Sequence, residues 1–190
     1  APSYSPDGVH FAYYDITNAR IQILNLEDGG EFKLPSGGPG FVDWSPDGTQ
    51  IIYTDVAAAH HEPFVAAYIA DLRAQTAALA FDEGATDTEF SQPRWSPDGE
   101  WVAAGLRPVN SAISKALWVL NLKGKGFLTV ADEPTATYSA YQWDPWGTGL
   151  VYQQYDLGRS EEQLSIWYWD WESLESRQII DFGARPIWLP

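Results

Sequence analysis

One five-residue phrase recurs four times along this chain of 190 residues. It reads Y-S-P-D-G at Tyr4–Gly8, W-S-P-D-G at Trp44–Gly48 and Trp95–Gly99, and in altered form W-D-P-W-G at Trp143–Gly147. The copies are spaced by 40, 51 and 48 residues. Internal similarity at a period of 40 to 50 residues is typical of repeat architectures, in which one small unit is stacked several times. Because such proteins present surfaces, their function is sought on faces, edges and loops.

The phrase has the chemistry of a tight turn between two strands. Proline presets the backbone for a type I turn, aspartate follows it, and glycine accepts the positive φ that closes such turns. An aromatic residue precedes each turn and an apolar, β-prone run follows it, which indicates strand, turn, strand. We therefore assign a structural role to the residues of this motif and to a related tryptophan near the end of the chain: Trp44, Asp47, Gly48, Trp95, Asp98, Gly99, Trp143, Gly147 and Trp188.

Three further strands align on each turn. The second strands contain Phe11–Tyr13, Ile51–Tyr53, Val102–Ala104 and Leu150–Tyr152; the third contain Ile23–Leu26, Tyr68–Leu72, Trp118–Leu122 and Trp167–Trp171; the fourth contain Glu31–Leu34, Ala77–Phe81, Phe127–Val130 and Arg177–Ile180. A four-stranded antiparallel sheet repeated at this period is a β-propeller blade. The alternative, a β-sandwich, would require four matching turns and aligned strands by coincidence.

The sequence thus predicts an all-β propeller with blades at about 1–40, 41–91, 92–139 and 140–185. Arg185–Pro190 matches Gln92–Pro97 at both prolines and the tryptophan, so we expect one innermost strand of a fifth blade at 186–190. Stacked blades bury their apolar faces against neighbours. Two interpretations remain open: a ring of four, or part of a larger ring that another polypeptide or the rest of a longer protein completes. The absence of an initial Met favours a processed protein or a segment of a longer one.

The motif resembles that of the TolB-like, WD-repeat-like propeller family, whose blades carry W-S-P-D-G and a later strand ending in D-L. The resemblance covers nearly the whole chain, although Tyr4, Asp144 and Trp146 depart from the pattern. Members include the TolB propeller of the bacterial envelope, oligogalacturonate lyase, the tricorn protease and propeller domains of prolyl-oligopeptidase-like and dipeptidyl-peptidase-like enzymes. The resemblance implies the propeller fold and a periplasmic, cell-surface or secreted location.

Composition narrows the classes of partner. With 26 acidic and 11 basic residues, the formal charge is −15. This balance argues against binding nucleic acid, whose phosphates require a basic surface, and against adsorption to anionic lipid. No apolar run approaches the roughly 20 residues needed to span a bilayer, so we expect no membrane insertion. The absence of cysteine excludes disulfides and thiolate metal sites.

Candidate binding residues come from the connections between second and third strands, predicted as long loops at Val56–Phe64, Arg107–Lys115 and Tyr155–Gln163. Binding residues concentrate on loops held by a rigid scaffold. The candidate interaction residues in these loops are His60, His61, Glu62, Arg107, Asn110, Arg159 and Glu161. His60–Glu62 is the only cluster with the residue types of a metal site, but it lacks the three or four converging ligands that zinc requires. An exposed polar loop tip is therefore the favoured interpretation.

The sequence shows no pairing of nucleophile and base for hydrolysis. We therefore predict no catalytic residue, no cofactor and no metal. The predicted function is a non-catalytic interaction module or subunit, which binds a protein partner or a second copy through blade edges or through the long-loop face. Two alternatives remain: a propeller that gates a prolyl-oligopeptidase-like peptidase, and a structural subunit of an envelope complex.

Overall fold

The computed structural model describes residues 2–36, 40, 42–59, 62–81, 88–124, 126–157 and 164–188. In this part of the chain all regular structure is β, without a helix. Blade one comprises β1 (Ser3–Tyr4), β2 (His10–Asp15), β3 (Arg20–Asn25) and β4 (Glu31–Pro35), and blade two comprises β5 (Val42–Trp44), β6 (Gln50–Ala59), β7 (Glu62–Asp71) and β8 (Thr76–Leu79). Blade three comprises β9 (Thr88–Trp95), β10 (Trp101–Pro108), β11 (Ala116–Asn121) and β12 (Phe127–Ala131), and blade four comprises β13 (Ala136–Trp143), β14 (Gly149–Asp156), β15 (Leu164–Asp170) and β16 (Ser176–Ile180).

Each blade is a four-stranded sheet in which neighbours in sequence are neighbours in space. The paired strands run antiparallel, for example Trp44 opposite Ile51 in blade two and Trp143 opposite Leu150 in blade four. The four strands predicted for each of the four blades, and the all-β propeller class, are confirmed. The chain divides into two compact units, Ala1–Trp95 and Ser96–Pro190, whose boundary falls directly after β9. Each unit has its own core.

The cores form where the aromatic face of one blade meets the aliphatic face of the preceding blade. In the first unit, Ala12, Ile21, Ile23 and Leu34 of blade one cluster with Trp44, Ile51, Tyr53 and Ala70 of blade two. In the second unit, Ala103, Leu117, Val119 and Val130 of blade three cluster with Trp143, Leu150, Tyr152 and Trp169 of blade four. Burying each large apolar side chain contributes roughly 1.5–3 kcal/mol. Stacking of this kind therefore supplies much of the stability of each unit.

The repeated turn is held by its serine and aspartate. In blade two, the Ser45 hydroxyl donates to the Asp47 carboxylate at 2.7 Å and accepts from the Gln50 amide at 2.9 Å. The Thr49 amide donates to Asp47 at 3.0 Å. Gly48 closes the turn at a φ of 70°, which an L-residue with a side chain rarely adopts. The turns that begin at Ser5 and Ser96 use equivalent bonds.

The innermost strands of blades three and four are longer than their sequence suggests. They begin at Thr88 and Ala136, whereas the blade boundaries were predicted at 92 and 140. Gln92 and Ala140 have positive φ values of 47° and 48°, and at Ser139–Gln142 the pairing register shifts. A bulge of this kind bends a strand without ending it. Proline or small residues at the bulge therefore look like a strand boundary in the sequence.

Two predicted features differ from the structure. Val56–Phe64 was predicted as a long loop, but β6 extends to Ala59 and β7 begins at Glu62, with their residues paired as far as Ala59 opposite Glu62. The alanines and Pro63 hid this hairpin, because neither is a typical strand former. The fifth innermost strand, predicted at 186–190, is not formed through Trp188, since residues 183–188 have no regular structure. A strand needs a hydrogen-bonded neighbour, and no second strand lies beside this segment in the described part of the chain.

Candidate functional site

The predicted interaction residues are only partly described. His60, His61, Arg159 and Glu161 lie outside the described residues, and for Glu62 only its backbone, at the start of β7, is described. Arg107 lies in β10 rather than in a loop. Asn110 lies in the turn that follows, with a φ of 61°, a conformation that asparagine tolerates better than most residues. The role of this loop face stays a prediction.

A surface that sequence reasoning did not single out begins at the altered turn of blade four. There the Asp144 side chain alone accepts the hydrogen bonds that hold the turn, whereas serine and aspartate share this role in the other turns. Its carboxylate accepts bonds from the amides of Trp146 at 3.0 Å and Thr148 at 2.9 Å, and from the hydroxyls of Thr148 at 2.7 Å and Tyr168 at 3.0 Å. The side chain of Asp144 is fully buried. The aspartate of the ordinary motif is therefore dispensable in this turn.

Trp146 occupies the position of the aspartate of the ordinary motif, and its side chain is 75% exposed. Its ring meets that of Trp188 edge to face, with centroids 6.4 Å apart. Aromatic pairs in this geometry attract one another by about 0.5–1.5 kcal/mol beyond the area that they bury. The changed turn thus places an exposed indole beside the segment that follows blade four.

That segment, residues 183–188, shares one backbone feature with the innermost strands of blades three and four. Arg185 has a φ of 54° and stands three residues before Trp188, as Gln92 and Ala140 stand before Trp95 and Trp143. It is seated on blade four, because the Gly183 amide donates to the Leu164 carbonyl and the Arg185 amide donates to the Gln153 side chain, both at 2.9 Å. One backbone feature therefore agrees with the equivalence to β9 and β13 that the sequence indicated, although no strand is formed.

We define the blade-four surface as the exposed apolar residues of the turn, the end of β16 and this segment. They are Trp146, Ile180, Phe182, Ile187 and Trp188, which are 75%, 48%, 73%, 67% and 37% exposed. Single exposed apolar residues are ordinary, whereas several on neighbouring segments, two of them tryptophans, make this surface the candidate site.

A second group of aromatic residues, which we call the blade-one face, comprises Tyr4, Phe11 and Tyr13; Phe11 and Tyr13 are half-buried. Their rings form a ladder with centroid distances of 4.9 and 5.8 Å. The equivalent residues of blades two and four are Trp44, Ile51 and Tyr53, and Trp143, Leu150 and Tyr152; all six are buried. Tyr4, in contrast, is 65% exposed. The outer part of this face carries charges that already pair within the blade, Arg20 with Asp15 at 3.2 Å and Lys33 with Glu31.

An ion pair links the innermost strands β5 and β9. Arg94 contacts Asp43 at 3.1 Å, and the Trp95 amide donates to the other Asp43 oxygen at 2.8 Å. Burial raises the pKa of Asp43, and the Arg94 charge and the amide bond oppose this rise. Because both carboxylate oxygens are engaged, the geometry suits a tie between two strands better than a catalytic base.

The described residues include no group of three or more His, Cys, Asp or Glu side chains placed to hold a metal ion. Nor does this part of the chain contain a helix that is long and apolar enough to cross a membrane.

The four-stranded antiparallel blades, each with the same kind of turn between its first two strands, define the protein as a β-propeller. No protein-family model matches the chain, and no curated protein sequence matches it. Solved structures, in contrast, match it. A putative TolB from Agrobacterium tumefaciens is 17% identical with a TM-score of 0.71, over 93% of this chain and 63% of that one. Oligogalacturonate lyase from Vibrio parahaemolyticus is 14% identical with a TM-score of 0.70, over 96% of this chain and 53% of that one.

A structure from a study of two prolyl endopeptidases is 13% identical with a TM-score of 0.70, over 97% of this chain and 29% of that one. The chain therefore spans less than two thirds of each of these structures. The fold is that of the TolB-like β-propellers, as the sequence resemblance implied. At these identities the likeness concerns the fold.

Proposed function

We propose that the chain is a non-catalytic propeller module that binds a protein partner. The observation that carries the proposal is the blade-four surface, where two tryptophans and three other apolar side chains stand exposed. Tryptophan is among the residues that contribute most to protein–protein binding. The exposed Trp146 occupies a position that other turns of this chain need for aspartate, and Asp144 compensates for the loss. A turn changed in this way keeps its structure while it gains a contact residue.

The acidic composition supports a protein partner over a polyanion. The formal charge of −15 opposes nucleic acid and anionic membrane surfaces. We also propose an extracytoplasmic location, which the likeness to a TolB structure supports.

Photo-crosslinking tests this function and maps the surface used. Benzoylphenylalanine replaces Phe182 on the blade-four surface, Ile113 on the loop that follows β10, or Leu26 in the turn after β3, each in the native host. All three side chains are exposed, so the replacements are tolerated. We expect a discrete protein adduct from position 182, or from position 113 if the loop face is used, and none from position 26. The absence of adducts at both 182 and 113, or the same adducts at all three, would contradict the proposal.

A second candidate, a propeller that gates a peptidase domain, is supported by the match to the prolyl endopeptidase structure, of which this chain covers 29%. The complete gene tests it: a hydrolase domain with a Gly-x-Ser-x-Gly nucleophile turn in the same reading frame is the expected result. A gene without such a domain excludes this candidate. The third interpretation, a structural subunit of an envelope complex, would give a 182 adduct with an envelope protein.

A further inference from the structure

We infer that Asp28–Gly29 is the site at which this protein isomerises to isoaspartate, and that the serine of the repeated turn protects the other Asp–Gly bonds from the same reaction. The inference is independent of the proposed function. Aspartate precedes glycine four times in the sequence, at Asp7–Gly8, Asp28–Gly29, Asp47–Gly48 and Asp98–Gly99. Because glycine has no Cβ to shield its amide nitrogen, this pair is the one in which that nitrogen most readily attacks the aspartate side chain.

The reaction is a cyclisation followed by hydrolysis. The glycine nitrogen forms a bond to Cγ of the preceding aspartate and loses its proton, and the carboxyl OH leaves as water, which gives a five-membered succinimide. Water then opens the ring. Opening at the main-chain carbonyl leaves a backbone that runs through Cβ and Cγ and is longer by one methylene, whereas opening at Cγ restores aspartate. Water is the only co-reactant.

Hydrogen bonds in the repeated turn oppose the first step. The carboxyl group reacts in its neutral form, because an ionised carboxylate offers no good leaving group, and bonds to the ionised form favour that form. In blade two, Asp47 Oδ1 accepts the Ser45 hydroxyl at 2.7 Å and the Thr49 hydroxyl at 2.9 Å. The bond from Ser45 is the main cause of the lowered pKa of Asp47. The turn therefore holds this carboxylate in its unreactive state.

The turns of blades one and three repeat this arrangement. Asp7 accepts the Ser5 hydroxyl and Asp98 accepts the Ser96 hydroxyl, each at 2.5 Å. In both turns the amide two residues after the aspartate donates to the same oxygen. The three serines Ser5, Ser45 and Ser96 are buried. Their hydroxyls are therefore shielded from competing water, and the protection should persist while the turn is folded.

The Asp28–Gly29 bond, in the turn between β3 and β4, differs at its carboxyl group. Asp28 Oδ1 accepts the Gly30 amide at 2.7 Å, but no hydroxyl of a described residue donates to Asp28. Two residues before it, where the repeated turn has serine, stands Leu26. Asp28 and Gly29 are both exposed, so water has access to the succinimide. This carboxyl group thus lacks the protection that the other three share.

The attacking nitrogen does not distinguish the bonds. The Gly29 amide donates to the Asn25 carbonyl at 3.0 Å, and the Gly48 amide donates to the Ser45 carbonyl at 2.9 Å. The nitrogen is engaged in a turn bond in both cases, so the difference in reactivity is expected to come from the carboxyl side. An added methylene at position 28 would lengthen the turn beside the Leu24–Glu31 pair, where β3 and β4 meet.

Peptide mapping of the folded 190-residue chain, after incubation in mildly acidic buffer, tests the inference. Chromatography separates isoaspartyl peptides from aspartyl peptides of equal mass, and a protease that cleaves before aspartate but not before isoaspartate confirms the assignment. We expect isoaspartate at position 28 to form at least about tenfold faster than at positions 7, 47 or 98, because a hydrogen bond to an ionised group favours it by about that factor. Synthetic peptides that span the four bonds are the control and should isomerise at similar rates.

Two variants test the role of the serine. In Ser45→Ala, isoaspartate at position 47 should form about tenfold faster, while position 98, in the other unit, stays at its wild-type rate and serves as the internal control. Thr49→Val removes the second hydroxyl and keeps the Ser45 bonds to Asp47 and to the Gln50 amide, so it separates loss of a donor from loosening of the turn. It should also accelerate the reaction at position 47.

Circular dichroism shows whether both variants are folded during the incubation. Three results would each overturn the inference. They are equal rates at the four positions of the folded chain, no isoaspartate at position 28 although its peptide isomerises, and a wild-type rate at position 47 in both variants.

Discussion

The altered turn of blade four offers a sharp test of how the repeat is built. In Asp144→Ala, four hydrogen bonds to one buried carboxylate disappear. A hydrogen bond to a charged group is worth about 1.5–3 kcal/mol net, so a simple sum would reach about 6–12 kcal/mol. The turn amides and the Thr148 hydroxyl can recover water, however, and so can the partly buried Tyr168, which regains much of this sum. We expect a loss of about 2–4 kcal/mol in the free energy of unfolding.

The sequence of the other three turns suggests a double variant that should restore the lost stability. In Asp144→Ser/Trp146→Asp, the turn regains the sequence of its counterparts, in which serine and aspartate share these bonds. This double variant should recover to within about 1 kcal/mol of the wild type. Trp146→Ala is the control; because the indole is exposed and only its backbone amide serves the turn, the change should cost no more than the ring contact with Trp188, about 0.5–1.5 kcal/mol.

Guanidinium unfolding followed by circular dichroism measures all three, since fluorescence would be confounded by the tryptophan changes. A loss below about 1 kcal/mol for Asp144→Ala would show that the buried carboxylate does not hold the turn. A double variant no more stable than Asp144→Ala would refute the idea that one residue has replaced two.

Four further predictions concern the core, one turn and the pair His60–His61. Trp95→Ala should destabilise the fold by about 3–5 kcal/mol in denaturant titration, because this ring is buried; a value below about 1 kcal/mol would contradict that. The hydroxyl bond from Ser45 lowers the pKa of Asp47, so stability present above about pH 4 should fall as the pH drops through the folded-state pKa, and Asp47→Asn should flatten this dependence in unfolding curves measured from pH 7 to pH 3. Burial raises the pKa values of Tyr152 and Tyr53 to about 12, so these two should ionise after the exposed tyrosines in an ultraviolet titration, and stability should fall between about pH 10 and 12, where the unfolded state ionises first. The chain should retain no stoichiometric metal after dialysis; metal that is lost in His60→Ala/His61→Ala would show that a site exists.

The sequence was sufficient for the fold because local chemistry and periodicity agree. Each S-P-D-G turn specifies its own bonds, so the strands on either side could be placed from the glycine alone. The sequence was less informative where a strand departs from ordinary composition. Positive φ values at Gln92 and Ala140 allow strands to continue through bulges, and the alanine-rich hairpin after Thr54 forms because its partner strand is adjacent. Both features depend on the neighbouring strand rather than on local propensity.

The candidate surface was harder to find because exposure is not a property of residue type. Tyr4, Trp44 and Trp143 occupy equivalent places in their repeats, yet the first is 65% exposed and the others are 7% and 8% exposed. An aromatic residue at this place is buried where another blade packs on it and exposed where none does. The sequence on either side of the residue does not show which of the two applies. The sequence did carry one signal, the tryptophan in the fourth turn. In the sequence alone, this tryptophan looks like a loss of the motif. The structure shows that Asp144 makes the missing bonds.

The difference between losing a motif residue and replacing its bonds bears on how other blades of this type are interpreted. A motif residue that is lost without compensation should weaken its turn, and such a turn is expected to become irregular. Blade four shows the opposite: its glycine keeps a φ of 72°, close to the 70° to 73° of the other three, and the strands on both sides remain paired. The geometry of the turn is preserved, although the side chain at position 146 no longer makes bonds that hold it. A position freed in this way, filled by a large aromatic residue that contacts a second exposed tryptophan, has the properties of a binding residue rather than of a damaged repeat.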